Sequence, residues 1–185
     1  MTSTLEREVK LRFADVEAAR TAVLATGATP IRARRLQEDC LLDTADSILR
    51  TQRCMLRVRI ESGKSYLTFK GPVQPSMMKL REEVETVVAD GAALLRILES
   101  LGYTVVFRYE KYREEFALGE AIVAIDETPV GVFVEIEGTD HGIGDAAGQL
   151  GRHPRDYLVD SYRRLYVLDC ETRGVAPGDM VFEER

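Results

Sequence analysis

Apolar and polar positions alternate along most of this chain. Leu5 to Phe13 alternates charged and mostly apolar residues, with Arg7 the exception, and predicts a strand over 4–13. Residues 14–26 have helical composition, with Asp15 as a cap and Gly27 as the stop. Further strands are expected over 31–43, 54–61, 66–70, 79–88, 103–118, 121–127 and 132–138. Asp43 to Arg53 reads as a loop with one helical turn. Ser62-Gly63-Lys64 reads as a hairpin turn, and Gly71-Pro72 ends the strand before a loop over 73–78. Residues 90–101 form an amphipathic helix closed by Gly102. Residues 140–151 are weakly helical, 157–168 are expected to be helical, and the chain beyond Thr172 looks frayed. The organisation is therefore about eight antiparallel strands with helices after the first strand, in the middle and at the end.

The polar positions on these strands are charged, and they come in pairs two apart. Glu6/Glu8, Glu83/Glu85 and Glu135/Glu137 are acidic pairs; Arg57/Arg59 and Lys111/Arg113 are basic ones. Residues two apart on a strand share a face, so each pair sets two like charges side by side. Like charges repel unless an opposite charge sits between them, either a cation or a basic side chain for the acids. Such a surface is costly unless it handles a highly charged ligand. Curling the charged face inward makes a barrel with a polar lumen and helices outside. An open sheet with a solvated charged face satisfies the same pattern, and charge alternation alone does not choose between them.

At 185 residues the chain reads as one domain over 1–170 with a tail at 171–185. A net charge of −6 argues against sequence-independent nucleic-acid binding without excluding a local basic patch around phosphate. Cys40, Cys54 and Cys170 are odd in number and widely spaced, and read as reduced thiols of a cytoplasmic protein. The polar N-terminus carries no signal-peptide pattern, and no apolar run reaches membrane-spanning length. A homodimer is left open. Met77 and Met78 read as loop or core filler, and His141 and His153 as surface residues. Neither a Ser-His-Asp spacing nor a Gly-rich phosphate loop supports a triad hydrolase or a P-loop enzyme.

Taken in order, these blocks resemble the CYTH superfamily, the triphosphate tunnel metalloenzymes, over about residues 4–168. Glu6-x-Glu8-x-Lys10 resembles the family signature, and gains specificity from the blocks that follow it. Leu56-Arg57-Val58-Arg59, Leu67-Thr68-Phe69-Lys70-Gly71-Pro72 and Arg81-Glu82-Glu83-Val84-Glu85 are similar to its Leu-x-Arg, Thr-x-Lys and Arg-x-Glu-x-Glu blocks. Lys111-Tyr112-Arg113, then Asp126 with Gly131 to Glu137, and Asp160-Ser161-Tyr162 complete the series. Where family members commonly carry an aromatic in the segment matching Gln37 to Asp43, this chain has Leu41.

The resemblance implies an eight-stranded antiparallel β-barrel, a triphosphate tunnel with a charged lumen and helices packed outside. It implies a ligand containing a triphosphate. Lys10, Arg57, Arg59, Lys70, Arg81, Lys111 and Arg113 are then expected on phosphates, through bidentate or point-charge contacts. Glu6, Glu8, Asp126, Glu135 and Glu137 form the oxygen-rich pool for Mg2+ or Mn2+. Glu83 or Glu85 is the candidate for orienting a water, with Lys10 also placed at the chemistry. The implied activity is a metal-dependent triphosphatase. A class IV adenylate cyclase and a non-catalytic polyphosphate or nucleotide binder are the alternatives.

Overall fold

The computed structural model describes residues 4–183. Eight strands form one closed antiparallel barrel in the order β1-β5-β4-β3-β2-β6-β7-β8. They are β1 (Thr4–Phe13), β2 (Thr29–Thr44), β3 (Met55–Glu61), β4 (Lys64–Lys70), β5 (Lys79–Val88), β6 (Tyr103–Leu118), β7 (Ala121–Thr128) and β8 (Gly131–Gly138). The open-sheet alternative is therefore excluded. Closure runs through β1, which divides its length between two neighbours. Thr4 to Glu8 pair with β5, and Glu8 to Phe13 pair with β8.

Strand parity decides what faces in and what faces out. Val9, Leu11, Val123, Ile125, Val134 and Ile136 point outward and are buried under helices. α1 (Val16–Ala25) contributes Ala19 and Val23 to that layer, and α4 (Asp140–Gln149) contributes Ile143, Ala146 and Ala147. On the far side α3 (Gly91–Ser100) packs Leu98 on Leu42 and Val58. The first residue of α3 approaches β4 closely: Gly91 N–H donates to Ser65 Oγ at 3.1 Å, and a Cβ at Gly91 would lie 2.5 Å from that oxygen. The hydrophobic core is thus a shell between barrel and helices, which leaves the lumen free to be polar.

Local chemistry sets the element ends. Asp15, Asp90, Thr139 and Ser161 cap α1, α3, α4 and α5 (Tyr162–Arg173) by accepting an N–H three residues on. Ser62 and Gly63 turn the β3–β4 hairpin with φ of 50° and 75°, the left-handed pair a two-residue hairpin loop needs. A single turn of helix, α2 (Ile48–Thr51), follows β2, and Asp43 accepts N–H bonds from Leu49 and Arg50.

Two expectations are corrected at the C-terminal end. The last helix, α5, spans Tyr162–Arg173 rather than 157–168. Tyr157 and Leu158 are extended instead, and Leu158 exchanges backbone hydrogen bonds of 2.9 Å with Lys10 on β1. The segment beyond α5 is docked. Met180 N–H donates to Arg108 O and Glu110 N–H to Met180 O, both at 2.9 Å, along an edge of β6 that β7 does not reach. The Met180 side chain is 1% exposed, within a cluster of Phe107, Tyr109, Phe133, Tyr162 and Leu165. Among the described residues no helix is long and apolar enough to cross a membrane.

Candidate active site

Every charged side chain singled out from the sequence faces the interior of the barrel, and all but Asp126 line one cavity of about 890 Å³. The two-residue spacing is the reason: once the barrel closes, alternate positions on every strand share the lumen.

On one side the lumen is acidic. Glu6 accepts from Lys70 Nζ at 2.5 and 2.6 Å, and the same ammonium lies 2.6 Å from Glu83. Lys10, 2% exposed, lies 2.8 Å from Glu8 and 3.1 Å from Glu135. Lys79 also pairs with Glu8. Burial and the nearby Glu135 push the Glu8 carboxyl up, but Lys10, Lys79 and Lys70 outweigh them and hold it below the usual carboxylate range. Glu6 and Glu137 differ. Burial raises Glu6 to about 7, with Glu8 and Glu83 adding repulsion that Lys70 only partly offsets. Burial and then Glu135 raise Glu137 to about 7 as well. Burial is thus the main cause at both carboxyls, with neighbouring carboxylates adding to it and, at Glu6, Lys70 opposing it.

Asp126 occupies a different place. It points inward but is wholly buried off the cavity surface, and both its oxygens are taken. Arg113 donates to it at 2.6 and 2.5 Å, Lys111 at 2.9 Å, and the Tyr162 hydroxyl at 2.5 Å. Arg113 also reaches Glu135 at 2.7 Å. Burial opposes the charge on Asp126, but Arg113 and Lys111 hold its carboxyl below the ordinary range. Burial, then Arg113 alongside, depress Lys111 to about 8 despite Asp126 and Glu135.

The remaining wall is basic. Arg59 grips Asp39 through two bonds of 2.9 and 3.1 Å, and Arg57 Nε lies 3.4 Å from the same carboxylate. Arg57 also reaches Thr68 at 3.2 Å, and Thr68 donates to Glu85 at 2.8 Å. The Glu85 side chain is 40% exposed. Arg81 donates to Lys70 O at 3.1 Å, while among the described residues neither its buried Nε nor that of Arg57 makes a hydrogen bond.

Several lumen residues escaped the sequence reading. Lys79 shares parity with Arg81, Glu83 and Glu85, so the signal was present. Asp39 and Gln37 share parity with Leu41 on β2, and Tyr109 with Lys111 and Arg113 on β6. Tyr162 belongs to the Asp160-Ser161-Tyr162 block, but its position over the Lys10 and Lys111 ammonium groups, 5.1 and 4.8 Å from the ring centre, follows only from how α5 docks.

Divalent metal fits this donor set in one form. Among the described residues no three His, Cys, Asp or Glu side chains converge as a ready-made metal cluster. Hard cations such as Mg2+ are commonly held by one or two carboxylates, the remaining positions going to substrate phosphates and water. The crowded Glu6 and Glu137, with Glu8 between them, supply such carboxylates.

The profile of the CYTH domain matches residues 4–150 of the chain. A Methanocaldococcus jannaschii protein named as a candidate adenylate cyclase is 29% identical over 134 residues, covering 72% of this chain and 76% of that protein. Among solved structures, a candidate adenylate cyclase from Vibrio parahaemolyticus superposes with a TM-score of 0.75 at 22% identity, covering 89% of this chain and 98% of that one. An adenylyl cyclase candidate from Hippeastrum, described as revealing a dominant triphosphatase activity, gives a TM-score of 0.62 at 17% identity. That match covers 95% of this chain and 98% of that one.

Proposed function

Because this chain belongs to the CYTH family, we propose that it is a metal-dependent triphosphatase that draws a triphosphate into the barrel and hydrolyses it there. The observation that carries the reading is the set of cations gathered inside the lumen, in particular Arg81, whose buried Nε has no hydrogen-bond partner among the described residues. Buried donors without partners are rare in folded proteins, and an anionic oxygen satisfies them.

In this reading Arg57, Arg81 and Lys70 bind the phosphate chain. Asp126 and Asp39 hold Lys111, Arg113 and Arg59 in fixed poses, so that little reorganisation accompanies charge development. Lys10 neutralises Glu8 and Glu135 while lining the cavity. Glu6, Glu8 and Glu137 would hold Mg2+ or Mn2+, which when bound supplies charge neutralisation of the polyphosphate and a more acidic water. Glu85 reaches solvent and is fixed by Thr68, which suits it to orient the attacking water. A water oxygen bonds to the terminal phosphorus as the bond to the bridging oxygen breaks. The water's proton passes to the Glu85 carboxylate, and the bridging oxygen leaves with its charge balanced by the basic wall.

The Methanocaldococcus relative's name favours a second reading, adenylate cyclisation, in which the ribose 3′-oxygen attacks the α-phosphorus and pyrophosphate leaves. Phosphate release from tripolyphosphate, ATP and thiamine triphosphate, with cyclic AMP measured in parallel, separates the two. Metal-dependent orthophosphate release that Glu85→Gln slows is the expected result. Cyclic AMP as the main product would replace the hydrolase with the cyclase, and full turnover in chelator would remove the metal from the reading.

A further inference from the structure

The segment after α5 lies outside residues 4–150, which the CYTH profile matches. β7 pairs with β6 only from Tyr112 onward, although β6 runs back to Tyr103. Met180 takes the next place along that edge, bridging Tyr109 in parallel. Side chains fix the docking on either side of it. Asp179 accepts the Arg108 N–H at 2.8 Å, and Glu110 accepts the Phe182 N–H at 3.1 Å. Phe182 packs on Tyr112 with ring centres 5.2 Å apart. The Tyr166 hydroxyl of α5 donates to Asp179 O at 3.1 Å and accepts the Gly178 N–H at 3.2 Å. The segment is thus tied to the last helix as well as to β6.

Two of the side chains clustered with Met180 are tyrosines that line the charged lumen. Tyr162 donates to Asp126 at 2.5 Å, on the carboxylate that also holds Lys111 and Arg113. Tyr109 faces Asp39, Arg57 and Arg59. The two ring centres lie 6.4 Å apart. A tyrosine ring pivots on two side-chain bonds, so the packing around it decides where its hydroxyl stays. An unbranched thioether fills an irregular gap among such rings better than a branched side chain does.

We propose that residues 175–183 are a positioning strap for the active site, with Met180 as the wedge that keeps the Tyr162 hydroxyl on Asp126 and the Tyr109 ring against the arginines of Asp39. Met180 touches no substrate. It acts through the two tyrosines on Lys111, Arg113 and Arg59, the cations whose fixed poses meet the developing charge. The kinetic consequence rests on the triphosphatase reading above, and the strap adds to that reading a positioning element from outside the family profile.

Tripolyphosphate hydrolysis with Mg2+, and calorimetric binding of tripolyphosphate in chelator, test it at a temperature well below every Tm. The proteins are the wild type, Met180→Ala, Met180→Leu, Tyr162→Phe, the double variant of Met180→Ala with Tyr162→Phe, and Ile143→Ala. Ile143 is buried in the outer shell, so its truncation costs comparable stability away from the lumen. Met180→Ala should lower kcat about tenfold, less than the hundredfold or more that losing a preorganised donor costs, and should leave binding within about twofold. Met180→Leu, which conserves volume, should restore kcat. Tyr162→Phe should also lower kcat, and in the double variant the two losses should combine to less than their product. Ile143→Ala should keep the wild-type kcat. Unchanged kcat in Met180→Ala, an equal loss in Ile143→Ala, or losses that multiply in full would overturn the strap. Hydrogen exchange reads the same device without turnover: Met180→Ala should speed exchange about tenfold in residues 107–111 and 162–166 as well as in 175–183. Faster exchange confined to 175–183 would overturn the strap. Wild-type protein that releases no orthophosphate, with the exchange spread as expected in Met180→Ala, would overturn the triphosphatase reading alone.

Discussion

Asp126→Asn distinguishes two roles for this carboxylate. As a metal ligand, its loss would show mainly in metal affinity. As the counter-charge of a buried network, its loss would show in the stability of metal-free protein. The geometry favours the second role: no exposure, two bonds from Arg113, one from Lys111 and one from Tyr162. Removing one partner of a buried ion pair typically costs about 3–5 kcal/mol, because the other charge is left uncompensated. Two features pull this case toward the low end. Asn keeps one acceptor oxygen, and Glu135 still faces Arg113 at 2.7 Å. A loss of about 3 kcal/mol is therefore expected, corresponding to roughly 6–12 °C in Tm for a chain of this size. Urea unfolding in chelator, with the wild-type m-value retained, measures it. A loss under about 1 kcal/mol together with collapsed Mg2+ affinity would refute the counter-charge role and make Asp126 a metal ligand.

Met180→Ala should cost about 2–3 kcal/mol, the lower part of the range for truncating a buried Met, and should speed proteolysis beyond Gly174; an unchanged urea midpoint would mean that the docked segment adds no stability. Arg81→Gln should weaken tripolyphosphate binding about ten- to a hundredfold, the equivalent of losing one charged hydrogen bond. Arg59→Gln should weaken it less, because Arg59 already spends two donors on Asp39; equal losses would contradict that ranking. The folded pKa of Glu6 and of Glu137 is raised to about 7 from 4.5, so the stability linked to these groups is full below the unfolded value and is lost as pH rises through about 7. Metal-free protein should accordingly melt lower at pH 8 than at pH 5.5, Mg2+ should recover the difference, and Glu137→Gln should lessen it; a Tm that rises over this interval in chelator would show the opposite sign.

Strand positions were legible because the lumen is charged and the outer wall apolar, which makes the alternation unusually sharp. Residues 103–118 are read to their ends because Gly102 and Gly119 bound them. Three things were not legible, each because it depends on a partner distant in sequence. Tyr157 and Leu158 have a composition that suits helix or strand, and only the backbone of Lys10 makes them extended. Met180 to Phe182 are too few to announce a strand, and their place is set by the edge that β7 leaves open on β6. Asp126 carries a metal-ligand residue type at a position matching an acidic strand, and nothing local says that Tyr162 arrives from α5 to take one of its oxygens. The outcomes for Asp39 and Lys79 were different: parity alone places both in the lumen, Asp39 under Arg59 and Lys79 on Glu8.

The division of labour between wall and lumen explains how so many buried charges coexist with a stable fold. Buried ion pairs are poor sources of stability, since desolvation cancels most of their attraction. Here the stabilising burial lies outside the strands, in Val9, Leu11, Phe116, Val123, Ile136 and the helix residues over them. Inside, pairing is nearly complete on the Asp126 and Asp39 sides, whereas the buried carboxyls of Glu6, despite Lys70, and of Glu137 are raised, and Arg81 Nε, like Arg57 Nε beyond its 3.4 Å approach to Asp39, makes no hydrogen bond among the described residues. An anion alone would satisfy the two arginines and worsen the crowding of the two glutamates. A cation alone would do the reverse. Under the proposed function, a triphosphate arriving with its divalent metal relieves both at once, so each should bind more tightly in the presence of the other.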